Sequence, residues 1–108
     1  MYAWHYAPLL FLLLLGPGSM CAQGRADAFV REGARHFQQM AYARAIRSYT
    51  TAAEMGAVNE HVTKRLAESH MRLGNTAEAE RWYSTVVKFL NREPRDLYNY
   101  AEALKSNE

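Results

Sequence analysis

Apolar residues recur three or four positions apart along most of the chain. Phe29, Val30, Gly33, Phe37 and Met40 form one such series, and Ala45, Ile46, Tyr49, Ala52 and Ala53 form the next. This is the period of a helix with one buried face. No alternating apolar pattern interrupts it before the short Val86-Val87 pair, and Ala, Arg, Glu, Leu and Met, all good helix formers, dominate. The breaks are local. Gly56 and Gly74 stand where a helix would close on a left-handed residue. Asn75 can open the following helix, with Glu78 three positions on to complete a capping box. Pro94 sits just inside another start, where its missing N–H costs nothing. The pattern predicts five helices, at about 26–40, 43–56, 59–73, 76–90 and 94–106. Their connections are short, which obliges neighbours to run antiparallel.

A second period lies over the first. Ala79 follows Ala45 at the same spacing by which Tyr83 follows Tyr49 and His70 follows His36. Gly33, Ala67 and Ala101 put a small residue at that spacing three times. Small residues let two helices cross closely, and a tyrosine one turn further on fills the space beside the crossing. The spacing is that of the tetratricopeptide unit, a helix–turn–helix of about 34 residues. The chain therefore resembles the tetratricopeptide repeat family. The resemblance implies an all-α, right-handed solenoid of antiparallel helix hairpins. Repeats would run over about 25–59 and 60–93, with a partial third over 94–108. Phe29, Glu32-Gly33 and His36, then Thr63, Leu66-Ala67 and His70, then Leu97, Tyr100-Ala101 and Leu104 follow the family's first-helix positions in part; the second helices follow more fully.

A narrower resemblance rests on Tyr42–Tyr49, Lys64–His70, Ala79–Tyr83 and Tyr98–Lys105. These stretches are similar to the amino-terminal repeat region of OmpA-family envelope proteins of Bacteroidota. In that family a β-propeller, a small β-sandwich and a peptidoglycan-binding domain follow, and some members serve type IX secretion and gliding. None of those later domains lies within these 108 residues. His70 stands where the family has Tyr, and Glu108 where a turn Gly is expected. The resemblance implies either an interaction module or the amino-terminal structural spacer of a longer, peptidoglycan-associated protein.

The stretch over 1–24 reads differently. A Leu-rich run, Leu9–Leu15, precedes Gly16, Pro17 and Gly18, as the apolar core and cleavage zone of a secretory signal would. That run is too short to span a bilayer, which takes about 20 residues in a helix. "MYAWHYA" carries no Lys or Arg, so its positive charge is the amino terminus. Cleavage would fall near Cys21 or Ala22, leaving a domain over 25–108 that is exported to the periplasm or the periplasmic face of the outer membrane. A lipobox reading of "GSMC", anchoring Cys21, is the alternative. Cys21 is the only cysteine, so no disulfide staples the domain. The net charge of +2 is interspersed, with no basic block to suit nucleic acid.

Catalytic chemistry finds little footing. Ser69 and His70 are adjacent on one helix, so their side chains diverge. The four histidines form no metal-ligand motif, and the glycines are isolated rather than gathered in a phosphate loop. The expected protein has no catalytic residue, metal, cofactor or small-molecule substrate. What remains is a surface. First helices of stacked hairpins line a concave side. Phe37, Lys64, Met71, Arg72, Tyr98 and Lys105 are placed there as partner-binding residues, beside Gln38, Glu68 and Glu102. That mixture of charge, Met and aromatics suits a protein or peptide partner in the envelope. Tyr49, Tyr83 and Tyr100 are assigned to the core. Tyr100, Ala101 and Leu104 of the last helix are expected to pack on the second repeat, and its uncapped outer side offers a route to self-association.

Overall fold

The computed structural model describes residues 23–108; Leu9–Leu15 and Cys21 lie outside them. The described residues form five α-helices and no strand: α1 over 23–38, α2 (Tyr42–Glu54), α3 (Glu60–Arg72), α4 (Thr76–Val86) and α5 (Pro94–Ser106). Each of the last four packs on its neighbour in sequence.

The helix ends repeat one device. At the end of α3, Gly74 N–H donates to Met71 O at 3.1 Å and Asn75 N–H to His70 O at 2.9 Å. At the end of α1, Met40 and Ala41 make the same pair of bonds to Phe37 O and His36 O, at 3.0 and 2.9 Å. Both closures satisfy carbonyls the helix leaves open, and both require a left-handed residue. Gly74 supplies it at φ 76°, and Gly56 closes α2 likewise at φ 96°. In α1 the residue is Met40, at φ 58° and 75% exposed. No glycine marks this closure in the sequence, because here the strain is carried by an ordinary residue whose side chain reaches into solvent.

Two expectations are corrected at the starts and ends. Asn75 stands at the N-cap of α4, but its side chain makes no capping bond; the amide turns back to His70 Nδ1 at 3.4 Å. A side-chain cap is made instead at the start of α3, where Asn59 accepts from Val62 N–H at 2.9 Å. The helix α4 stops at Val86, short of the predicted end near 90. Beyond Val86-Val87, Lys88 and Phe89 N–H bond three positions back, to Thr85 O and Val86 O, so the turn tightens and Phe89 packs against the core. β-Branched side chains at two consecutive positions disfavour further α-helix there. The connection to α5 is correspondingly long, over 87–93.

Two apolar clusters hold the helices together. Ala45, Tyr49, Val62 and Leu66 join α2 to α3, with Val30, Ala34 and Phe37 of α1 against them. Ala67, Ala79, Tyr83, Val86 and Ala103 join α3, α4 and α5. The small-large alternation is packed as its spacing suggested: Ala45, Tyr49, Ala79 and Tyr83 are all fully buried. At Gly33 the fit allows nothing larger. A Cβ there would lie 2.9 Å from the Tyr49 ring.

The third crossing residue departs from expectation. Ala101 is exposed, and Ala103 is the buried alanine of α5. The helix α3 has two buried faces about 100° apart, one for the helix before it and one for the helix after it. On α3, Val62 and Leu66 serve the first, and Ala67 the second. Moving on by the spacing that separates Ala45 from Ala79 places Asp96, Tyr100 and Ala103 on the first face of α5, and Leu97, Ala101 and Leu104 on the second. The first is packed: Asp96 and Ala103 are buried and Tyr100 half-buried against the α4 cluster. Leu97 and Leu104 are 48% and 40% exposed.

Candidate functional site

The helices leave a groove of about 510 Å³ between the ends of α1, α3 and α5. Phe37 enters from the last turn of α1, Arg65, Glu68, Met71 and Arg72 from α3, and Arg95, Tyr98 and Asn99 from α5. Within each helix these residues stand three or four apart, so each set shares a face. Tyr42 and Tyr83 reach in from the second helices.

The groove is built on fixed supports. The Arg65 guanidinium lies 4.4 Å from the Phe37 ring centroid and donates to Glu68 Oε2 at 2.7 Å. Phe37 also meets Tyr42 edge to face at 5.4 Å. At the floor, the Tyr83 hydroxyl accepts from Asn99 Nδ2 at 2.9 Å. Burial pushes the Tyr83 phenol up to about 12, so it stays protonated and can donate onward. Arg65 and Glu68 neutralise each other. Arg72 and Arg95 make no ion pair among the described residues, and their charge gives the groove a positive wall.

Four of the six residues placed on the concave face from sequence, Phe37, Met71, Arg72 and Tyr98, therefore meet in one groove. Tyr98 is 65% exposed, available to a ligand. The other two lie apart. Lys64 turns away from the groove, where its ammonium bridges Glu93 at 3.2 Å and Asp96 at 3.4 Å. Burial there would lower the Lys64 pKa, but the two carboxylates outweigh it and hold the ammonium above its usual value. This lysine clamps the start of α5 to α3. Asp96, nearly fully buried, also accepts from Glu93 N–H at 2.8 Å. Lys105 stands exposed on α5, outside the groove. Arg95 and Asn99 were not singled out from the sequence. They bracket Tyr98 and belong to the face that the period of α5 turns towards α3.

The histidines are dispersed. His61 Nε2 meets the Tyr49 hydroxyl at 3.1 Å, His36 Nε2 lies 3.6 Å from Glu32 Oε1, and His70 pairs with Asn75. No group of three or more His, Cys, Asp or Glu that could hold a metal is assembled among the described residues. None of the described helices is long and apolar enough to cross a membrane. No family model, curated protein or solved structure matches the chain.

Proposed function

We propose that this chain is a non-catalytic, tetratricopeptide-like interaction module of the bacterial cell envelope, and that it holds a segment of a partner protein in the groove between α1, α3 and α5. The observation that carries the reading is the convergence of Phe37, Met71 and Tyr98 with two arginines, Arg72 and Arg95, that have no carboxylate of their own among the described residues. Such a wall pairs with a carboxylate while the aromatic and thioether surfaces take up an apolar neighbour. The preferred segment is thus acidic with an interspersed aromatic or aliphatic residue.

The tetratricopeptide reading draws support from three features in one register: the closures at Met40 and Gly74, the crossing residues Gly33 and Ala67, and the Ala-Tyr pairs of α2 and α4. All recur at the same spacing along the chain. Placement in the envelope rests on the Leu9–Leu15 run. Mass spectrometry of the chain expressed with its leader in a bacterium should find an amino terminus between Cys21 and Gly24; an intact Met1 contradicts export.

Selection from a random peptide display library tests the groove. Peptides enriched on the wild-type chain should be acidic, and should lose binding to Arg72→Glu, Arg95→Glu and Tyr98→Ala. They should retain it with Arg44→Glu, which alters an exposed arginine on α2. Failure to enrich any sequence, or equal binding to all four variants, removes the groove from consideration.

A further inference from the structure

A cleft of about 540 Å³ opens between the start of α3 and the segment that joins α4 to α5. Its polar lining is dense in charge. Glu60 comes from α3, Glu93 and Asp96 from the start of α5, and Lys64 lies within bonding reach of the last two. Val86 and Phe89, from the end of α4, give it an apolar wall. Arg92 lines it too, with its guanidinium turned back to Phe89 O at 3.3 Å.

The charges do not balance. Three carboxylates meet two cations, and burial holds the His61 ring beside them below its ordinary pKa, so it stays neutral at pH 7. One ammonium, that of Lys64, is shared between Glu93 at 3.2 Å and Asp96 at 3.4 Å. Glu60 makes no ion pair among the described residues. Asp96 is the sharper case. It is 1% exposed; its Oδ2 takes Lys64 and the Glu93 N–H, and its Oδ1 has no partner among the described residues. A buried carboxylate oxygen without a donor is an exception that calls for a reason. The fitting donor is an organic cation. These carboxylates are not gathered into a group that could hold a metal ion. An ammonium or guanidinium instead spreads several N–H donors over separate acceptors, and its methylene stem can lie along Phe89.

The cleft is continuous with the groove. A depression of about 300 Å³ shares His61, Lys64 and Glu93 with the cleft, and Arg65, Glu68 and Arg95 with the groove. From His61 to Arg72 the track follows α3 for about 16 Å at the helical rise. An extended chain covers that span in about five residues. The sign of the charge reverses along it, from Arg72 and Arg95 at one end to Glu60 and Asp96 at the other.

We infer that the cleft takes a lysine or arginine side chain of the partner segment whose acidic residue faces Arg72 and Arg95, about five residues away. The choice of that segment as the source rests on the groove reading above; the preference for a cation does not. Residues 1–22 carry no Lys or Arg with which to fill the cleft from within the chain.

The first probe is Nα-acetyl-lysine N-methylamide, titrated into the isotope-labelled full chain and followed by NMR. It should shift the amides of Phe89, Glu93 and Asp96 to saturation, and the norleucine analogue, with a similar stem and no charge, should not. Glu60→Gln with Glu93→Gln should weaken binding at least about tenfold. Glu54→Gln, at an exposed position on α2, should change nothing. Should the double variant lose helix by circular dichroism, Glu60→Gln alone decides, because it removes no ion pair that holds the fold. The second probe is a capped hexapeptide with glutamate at one end and lysine at the other. It should bind at least about tenfold more tightly than its norleucine version, and both Arg72→Glu and Glu60→Gln should weaken it. A lysine analogue that shifts nothing, or no better than norleucine, overturns the inference, while the groove still answers to Arg72→Glu and Arg95→Glu. Tighter binding of cadaverine than of the lysine analogue overturns the side-chain assignment in favour of a free diamine. A chain dimer in sedimentation that Glu60→Gln dissolves also overturns it, because the cleft then belongs to a second copy.

Discussion

Gly33 and Ala101 hold the same register on the first and last of the first-type helices, and their surroundings are opposite. Gly33 lies so close to the Tyr49 ring that a methyl group has no room. Ala67, between them at the same spacing, is fully buried against α4, and Ala101 is exposed among the described residues. The outermost faces differ as well. On α1 the positions in register with Val62, Leu66 and Ser69 are Ala28, Glu32 and Arg35, a small residue and two charges. On α5 the outward positions are Leu97, Ala101 and Leu104. Among the described residues the outward face of α1 is thus polar and that of α5 apolar. A shared spacing along the sequence thus fixes where a side chain stands on its helix and leaves open what it meets, which depends on the neighbouring helix.

A series of three substitutions at one register sharpens this contrast. Gly33→Leu should be the most damaging, costing about 3 kcal/mol or more in chemical denaturation, because the Tyr49 ring cannot withdraw from a buried cluster. Ala67→Leu should cost about 1–3 kcal/mol, since α4 can shift by a fraction of an ångström. Ala101→Leu should fall within about 0.5 kcal/mol of wild type, as surface changes do. Equal costs at the three positions would mean that the crossing geometry is wrong.

The closures of α1 and α3 give a smaller and opposite effect. Met40 holds a left-handed backbone that Gly74 adopts without a Cβ clash. Met40→Gly should stabilise the fold by about 1 kcal/mol, and Gly74→Met should destabilise it by a similar amount. A Met40→Gly variant that melts below wild type would show that the Met40 side chain, despite its exposure, holds something the glycine releases.

Acid should produce the gentlest change. Burial lowers the His70 pKa below its ordinary 6.5, Glu78 opposes that shift and Arg81 adds to it. His61, also lowered by burial and by Arg65, is more exposed and contributes less. As pH falls through 6.5 the unfolded chain takes the proton first, so stability is full above that value and declines below it. Thermal melts from about pH 7.5 to about pH 5.5 should show this decline, and His70→Gln should flatten it. An unchanged slope in that variant would assign the acid sensitivity elsewhere.

The helices and the matching Ala-Tyr pairs of α2 and α4 were legible because apolar period and small-large alternation are properties of single segments. Gly56 and Gly74 announced their turns for the same reason. What escaped the sequence depended on partners far along the chain or on backbone energy. The burial of Asp96 requires Lys64 from another helix, and that same ion pair takes Lys64 out of the groove. Asn75 looked like a cap, but its amide meets the ring of His70 on the helix before it. Ala101 and Ala103 are both small residues on a helix, and only the absence of a covering helix among the described residues tells them apart.

Trp82 carries a consequence for how the molecule comes apart. Its half-buried indole rests against both apolar clusters, with the Arg81 guanidinium 5.4 Å from the ring. A stack of hairpins touching only at neighbours would fray from either end, each unit melting on its own terms. A side chain seated in both clusters ties the two transitions, because opening the α2–α3 contact strips cover from a residue that also supports α4. Its emission is therefore a natural reporter of cooperativity. With Trp4 replaced by Phe, loosening of the first hairpin should redden the Trp82 spectrum, although Trp82 itself belongs to the second.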